Sequence, residues 1–396
     1  VNIWKTCGIQ IRRWLAPWIL SGKVMEWWLQ RQTTILAEEY SRFILGCTSK
    51  MPPKPENFRS VSGLKLNRIL FICDNMWEQR ELLPELAKLA QVDFVDVSPW
   101  RLTGRVSAED RLDLDKVRIH LNKFLGRNYE AVVVYLNAAL LSHDLFEILR
   151  PRTDGLLLGM NLDDKGSYPN YNVFQRSAQN YRRWAGYFDC NLTNSLAMVD
   201  IYKDDGHSCL YLPTGFHYDP RIHYFRPPSH FEYDLSFVGS CKHERRLFVE
   251  ALQSKGLKIS TFGGGWPQSQ FNQEGASIYR NSLINLGIGY NLPGYQFTNL
   301  KNRDFECPGS GGCYLTTYDW ELAGCYEIGK EILCYRDMND FCEIYAHYRR
   351  RPEACMEIAR AGFERARSQH TWAHRFASIF STLGFSQNQF PLIRSL

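Results

Sequence analysis

The feature that most constrains this chain is a rhythm of short apolar runs alternating with segments of helical period. Ile69 to Cys73, Val92 to Val97, Ala131 to Leu136 and Gly155 to Met160 are strand-length and rich in β-branched or aliphatic residues. Between them, Glu78 to Ala90 sets Leu82, Leu83, Leu86 and Leu89 at helical spacing, with Pro84 near the regular start. Ser107 followed by Asp110 resembles a capping box and predicts a helix running to about Phe124. Strand and helix alternating in this way predict a mostly parallel, doubly wound sheet. The rhythm restarts at Leu235–Val238, followed by a helix over His243–Gln253 that Gly256 closes. Further runs at Leu257–Phe262, Ile284–Leu286 and Cys313–Thr317 read as strands, and Pro352–Arg367 as a helix with Pro at its first position. Two Rossmann-like halves joined near Pro220, Pro227 and Pro228 account for this order, although no sequence repeat relates them.

A length of 396 residues fits about two domains. Aromatics at 14% rule out intrinsic disorder. The net charge of +5 is unevenly spread: residues 1–60 carry nine Lys/Arg against four Asp/Glu, and the other 336 carry 38 of each. A balanced body argues against a phosphate-backbone binder, so no nucleic-acid partner is expected. The twelve cysteines include no Cys-x-x-Cys and no zinc-finger spacing, which suits reduced thiols in a cytoplasmic protein. No run of eighteen uninterrupted apolar residues predicts a membrane span, and Pro17 breaks the stretch from Trp14 to Leu20 that would otherwise resemble a signal peptide.

Residues 1–46 read as helix, with Trp4, Trp14, Trp18, Trp27 and Trp28 among Lys5, Arg12, Arg13, Lys23 and Arg31. Pro52, Pro53 and Pro55 then mark a linker. Tryptophan with basic residues suits a membrane interface. The same helix could instead cover the first domain or meet a partner, and these three readings stay open.

In open α/β sheets ligands gather outside the carboxyl ends of the strands, so the residues there are the site candidates. Asp163 and Asp164 follow the Gly155–Met160 run, either as a turn or as carboxylates that orient a sugar hydroxyl. Gly263, Gly264 and Gly265 follow Phe262, either as a plain turn or as a close approach of backbone to ligand. Gly239 turns the chain into a helix whose first residues include Arg245 and Arg246. Cations at that end oppose the helix dipole unless an anion is shared there, so Arg245 is either a phosphate contact or part of a solvated face. In Lys301–Gly312, Arg303 and Glu306 become i,i+3 neighbours if a helix opens there, and Glu306 is then also a good first-turn charge.

These residues resemble a family. Asp234–Ser240, Arg303-Asp304-Phe305-Glu306, Tyr326–Tyr335 and His370-Thr371-Trp372-Ala373-His374-Arg375 look like the CgeB-type (spore-maturation-protein-like) glycosyltransferases. Those are similar in turn to the retaining family 4 glycosyltransferases of the GT-B fold. The likeness is strong over 230–382 and weaker over 66–228, where Tyr211–Phe216 resembles the entry to the interdomain linker, with His217 at the usual Asp. Asp189–Ser195 resembles the family's Ala-Asp strand.

The resemblance implies two doubly wound domains facing across a cleft, behind a helical extension. The limits expected are 1–60 for the extension and linker, 61–228 for an acceptor domain, 229–380 for a nucleotide-sugar domain and 381–396 for a tail. It implies a cytoplasmic, bacterial enzyme with no cofactor and no metal, taking a nucleotide sugar as donor and a glycan, lipid-linked saccharide, protein or small molecule as acceptor. Peripheral membrane contact would run through residues 1–46. Arg245 falls at the family's phosphate-binding Lys. Glu306 falls at the second Glu of its E-x7-E motif, and Thr298 stands at the first, as suits the R-x-F-E branch. Gly239, Gly263, Gly264, Arg303, Gly311 and Gly312 complete the expected donor site, and Asp163 or Asp164 would touch the donor sugar. His370 reads as structural. Two other functions remain: a sugar-nucleotide epimerase, for which no acid/base set is evident, and a non-catalytic scaffold on the same fold.

Overall fold

The computed structural model describes residues 61–74, 79–102, 111–124, 127–152, 154–162, 164, 168, 181–267, 275–289, 299–386 and 390. The Trp-rich extension and Asp163 lie outside them, as does the expected cap at Ser107.

Two all-parallel sheets organise the described chain. The first holds β1 (Arg68–Cys73), β2 (Gln91–Asp96), β3 (Ala131–Tyr135), β4 (Leu156–Asn161), β5 (Cys190–Thr193) and β6 (Cys209–Tyr211), in the order β2-β1-β3-β4-β5-β6. Its helices are α1 (Gln79–Leu86), α2 (Leu114–Leu121), α3 (His143–Leu149), α4 (Arg182–Ala185) and α5 (Leu196–Asp204). The second sheet holds β7 (Tyr233–Val238), β8 (Ser260–Phe262), β9 (Ser282–Leu286), β10 (Tyr314–Thr317) and β11 (Leu333–Tyr335), in the order β11-β10-β9-β7-β8. Its helices are α6 (His243–Ser254), α7 (Gly275–Asn281), α8 (Arg303–Gly309), α9 (Trp320–Ala323), α10 (Met338–Arg349) and α11 (Pro352–Gln369). A last helix, α12, spans Trp372–Thr382. Each half places its first strand between its second and third, so the two share a strand order that their sequences do not advertise.

Local chemistry sets the element ends. Asp113 caps α2 by accepting from the Lys116 N–H at 3.3 Å, so the described helix starts at Leu114. Thr371 caps α12 through the His374 N–H. Along β1 the side chains alternate between two cores: Leu70 and Ile72 join Val132, Val134 and Leu157 on one face, while Ile69, Phe71 and Cys73 join Val133, Leu158 and Met160 on the other.

The second of these cores corrects the domain limit expected at residue 380. Trp372, Phe376, Phe380, Leu383, Phe385 and Phe390 are buried there with Leu82 and Leu86 of α1. Thus α12 belongs to the first domain, and Leu383, Phe385 and Phe390 anchor what was expected to be a tail.

The chain therefore crosses between halves twice, and the crossings touch. Phe216 and Thr371 form a parallel bridge, the Phe216 N–H donating to the His370 carbonyl at 3.3 Å and the Trp372 N–H to the Phe216 carbonyl at 3.0 Å. A Cβ on Gly215 would lie 2.9 Å from the Trp372 nitrogen, so only glycine permits this approach. Glu85 of α1, fully buried, holds both crossings. Its Oε1 lies 2.8 Å from His217 Nδ1 and accepts from the Tyr218 N–H at 3.2 Å; its Oε2 accepts from the Ala373 N–H at 3.1 Å, and Lys88 also bonds it. Burial pushes this carboxyl up, but His217, Lys88 and Ala373 together hold it below the ordinary glutamate value.

Glu85→Ala strands two buried N–H donors, each worth about 1–3 kcal/mol when unpaired, so urea unfolding should show a loss of about 2–5 kcal/mol. Glu85→Gln, which keeps an acceptor oxygen, should lose less. A second expectation concerns acid. Burial, with Arg375 next to it, pushes His374 down to about 4, and burial with His217 does the same to His223. Both rings are neutral in the fold, so their contribution is intact above the unfolded value of about 6.5 and is lost as pH falls toward 4. Melting temperature should drop across that window, and His374→Gln should flatten the drop.

Candidate functional site

Contacts between the halves show how their sheets are aimed. Glu81, which follows β1, accepts from Asn302 Nδ2 at 3.1 Å, and Asn302 follows β9. Glu321, which follows β10, accepts from Ser195 Oγ and from the Leu196 N–H, both at 3.2 Å, and those residues follow β5. All four segments leave the carboxyl ends of strands, so the two carboxyl edges face one another.

On the second sheet, Gly239 turns the chain out of β7 at that edge. Its φ of +152° lies in the region that favours glycine. A Cβ there would meet Arg303 Nη1 at 2.5 Å and Arg245 Nη1 at 3.3 Å. The two guanidiniums therefore converge on one turn, and both lie over the Phe237 ring, at 4.7 Å for Arg303 and 5.8 Å for Arg245. Their environments differ. Arg303 is buried, with Nη1 donating to the Val238 carbonyl and Nη2 to the Ile288 carbonyl at 3.4 Å, so it ties the ends of β7 and β9 together. Arg245 is only half-buried, and its Nη1 donates to Ser240 Oγ and the Ser240 carbonyl at 3.1 Å each. A fixed cation behind and a more exposed one in front make a turn able to hold an anion.

Glu306 sits one turn along α8 from Arg303, half-buried, with Tyr279 Oη donating to its Oε2 at 3.4 Å. Burial raises its carboxyl above the ordinary value, and Arg303 and Tyr279 offset only part of that. A carboxylate held with fewer partners than it can take is suited to receiving hydroxyl donors from a ligand. Its neighbour Asp304 faces inward instead, accepting from Tyr314 Oη at 2.6 Å and the Lys301 N–H at 2.7 Å.

Other expected residues lie elsewhere or serve packing. A Cβ on Gly263, whose φ is +113°, would sit 2.6 Å from the Gly239 carbonyl oxygen, and Gly264 accepts from the Cys241 N–H at 2.7 Å. Glycine is needed there because two turns stack on each other, with Trp266 Nε1 donating to the Gly239 carbonyl at 2.7 Å. Gly311 and Gly312 need correction. They lie beyond the far end of α8 and before β10, away from the carboxyl edge. A Cβ on Gly312 would meet Asn285 Nδ2 at 2.7 Å and Cys307 Sγ at 3.0 Å, and one on Gly311 the Tyr224 carbonyl at 3.0 Å. They shape a turn, not a donor contact. Asp164 also needs correction. It has no exposed surface, and it adds to burial in raising the hydroxyls of Tyr181 and Tyr202 and, with burial and Cys190, the thiol of Cys209 inside the first domain. A carboxylate facing that interior does not reach a sugar on the opposite half. His370 is buried, with Nε2 2.9 Å from the Cys325 carbonyl oxygen, in keeping with a structural part.

The sequence reading missed Glu81, Asn302, Ser195 and Glu321. Nothing in their spacing marks them, since polar residues near helix starts read as caps.

Residues 244–381, which include Arg245, Arg303 and Glu306, match a family described as Glycosyl transferase-like. Over those residues the chain carries a glycosyl transferase-like domain. Among solved structures it is similar to sucrose-phosphate synthase from Thermosynechococcus elongatus, with a TM-score of 0.52 and 13% identity over 80% of this chain and 99% of that one. It is also similar to HepE of Anabaena in complex with UDP and glucose, with a TM-score of 0.53 and 11% identity over 80% of this chain and 100% of that one. An α-glucosyltransferase in complex with UDP-glucose and DNA containing an abasic site gives a TM-score of 0.50 and 11% identity over 80% and 99%. At such identities the likeness is one of fold, and the fold is GT-B. No curated protein sequence matches the chain. Among the described residues, no helix of this glycosyltransferase fold is long and apolar enough to cross a membrane.

The raised carboxyl of Glu306 yields a prediction. Its folded value lies above its unfolded one, so its charge disfavours the fold at neutral pH and ceases to do so once both states are protonated. Glu306→Gln should raise the stability of ligand-free protein at pH 7 by about 0.5–2 kcal/mol, as is common where a functional site holds strain. The gain should vanish near pH 3, read by melting at the two pH values.

Proposed function

We propose that the chain transfers a glycosyl group from a nucleoside diphosphate sugar to an acceptor hydroxyl, as a CgeB-like member of the retaining GT-B enzymes. The observation that carries this reading is the pair of guanidiniums at Gly239, with Glu306 one turn beyond Arg303. In this reading Arg245 exchanges its bonds to Ser240 for the diphosphate, and Arg303 holds the turn in place from behind. Glu306 accepts hydroxyls of the nucleotide ribose or the donor sugar. One similar structure holds UDP and glucose and another UDP-glucose, which makes UDP-glucose the first donor to try.

The acceptor enters from the first domain's carboxyl edge, where Glu81 approaches Asn302. The bond from the sugar's anomeric carbon to the diphosphate oxygen breaks as the bond to the acceptor oxygen forms. The acceptor's proton passes to the leaving phosphate, with both groups on one face of the sugar, which gives retention without a covalent enzyme intermediate. Cationic side chains neutralise the leaving group, so no step requires a metal.

The test is a melting screen of the full chain against UDP, GDP, ADP and UDP-glucose, with Arg245→Ala and Glu306→Ala alongside. A ligand at a hundred times its dissociation constant should stabilise the native protein by about 2.7 kcal/mol. One nucleotide class should do so, and each variant should weaken its binding at least tenfold while remaining folded. Unchanged binding in Arg245→Ala, or no nucleotide binding in wild type, would contradict the reading.

A further inference from the structure

The turn that follows β7 keeps one backbone donor in reserve, and a tryptophan on the neighbouring turn aims it. From Gly239 to Lys242, three N–H groups are spent within the protein. Gly239 donates to the Phe262 carbonyl at 2.8 Å, Cys241 to the Gly264 carbonyl at 2.7 Å and Lys242 to the Ser240 carbonyl at 2.9 Å. The Ser240 N–H donates to none of the described residues, and Ser240 is exposed.

The direction of that N–H is decided at the other side of its peptide. The peptide is trans, so the Gly239 carbonyl and the Ser240 N–H point in opposite directions. The Gly239 carbonyl accepts from Trp266 Nε1 at 2.7 Å, and the Gly263 backbone packs on the same oxygen, where a Cβ would stand 2.6 Å away. The carbonyl is thus held against the second turn, and the Ser240 N–H faces away from it. Arg245 flanks this nitrogen on both sides. Its Nη1 lies 3.3 Å from where a Cβ on Gly239 would stand and donates to Ser240 Oγ and the Ser240 carbonyl at 3.1 Å each. Trp266 is itself fixed: it is buried, with its ring edge-on to Phe237 at 5.7 Å, the same ring that both guanidiniums lie over.

We propose that Trp266 is a positioning residue for the donor, its indole N–H holding the Gly239–Ser240 peptide so that the Ser240 N–H and Arg245 present donors to one phosphate. This role rests on the diphosphate lying at the Gly239 turn, as proposed above. Glycine lets its peptide rotate at little steric cost, so Gly239 alone does not hold the orientation. A rotated peptide would turn a carbonyl oxygen toward the phosphate and repel it. A donor fixed before the ligand arrives needs no reorganisation on binding. The bonds of Gly239 to Phe262 and of Cys241 to Gly264 join the two turns without Trp266, so the fold does not depend on the indole N–H.

The experiment titrates UDP, GDP and ADP against the full chain by calorimetry and carries the tightest into Trp266→Phe, Arg245→Ala, Glu306→Ala and the two double variants that include Trp266→Phe. Trp266→Phe keeps a ring against Phe237 and removes the N–H. It should melt close to wild type and weaken the nucleotide about fivefold, the worth of one hydrogen bond. In Arg245→Ala, where the phosphate is already loose, the same change should cost under about twofold. In Glu306→Ala, whose contact is to the other end of the ligand, it should keep its full effect. A merely structural tryptophan would weaken all three backgrounds alike. Hydrogen exchange of wild type, resolved to single residues by electron-transfer fragmentation, supplies a readout that needs no variant: the nucleotide should slow the Ser240 amide about tenfold or more. Wild-type affinity in Trp266→Phe, an equal loss in all three backgrounds, or a Ser240 amide that nucleotide leaves unprotected overturns the positioning role while the donor site stands. If no nucleotide binds wild type, or Arg245→Ala binds as wild type does, the donor site itself falls and the role of Trp266 with it.

Discussion

The Glu85 carboxylate is the contact on which the rest of the arrangement depends. A buried charge is costly unless it is well bonded, and this one is bonded on both oxygens. Its partners are not arbitrary. His217 and Tyr218 belong to the first crossing between domains, and Ala373 to the second. One side chain of the first domain thus fixes where the chain leaves and where it returns. The Phe216–Thr371 bridge and the bare backbone of Gly215 then let the crossings lie side by side. With both crossings pinned, the two carboxyl edges are held toward each other, and Glu81 and Glu321 can reach across.

At the second edge, the same logic of satisfied burial divides labour between two arginines. Arg303 spends its guanidinium on the carbonyls of Val238 and Ile288, which end β7 and lead out of β9. It makes the Gly239 turn rigid and positive from within. Arg245 is held by Ser240 more superficially, and it is the cation that a ligand can recruit. Glu306 retains a burial penalty that its neighbours only partly offset. Such incompletely satisfied charge is expected where a protein keeps capacity for a substrate instead of maximal stability.

Much of this was legible in the sequence because parallel strands are buried on both faces and therefore appear as apolar runs. The strands β1 to β4 and β7 to β10 were found that way, and helical spacing made Arg303 and Glu306 neighbours. Strands β6 and β11 were not read as strands. The membership of α12 in the first core is long-range packing that no local pattern encodes. The three corrected site residues, Asp164, Gly311 and Gly312, failed for a related reason. Position after a strand says that a residue is near the edge, not which way its side chain turns, and Asp164 turns inward. Gly312 looked like a ligand loop because glycine marks any close approach, and here the close neighbour is the protein's own Asn285 and Cys307. Glu85 and Glu81 are invisible in sequence, because a glutamate in a helix ordinarily marks a solvated face.

The most direct measurement is a crystal structure of the full chain with UDP. The account predicts that the diphosphate lies at the Gly239 turn, with a phosphate oxygen about 3 Å from the Arg245 guanidinium and the ribose hydroxyls on Glu306. UDP bound away from this edge, or bound while Arg245 keeps its contacts to Ser240, would contradict it.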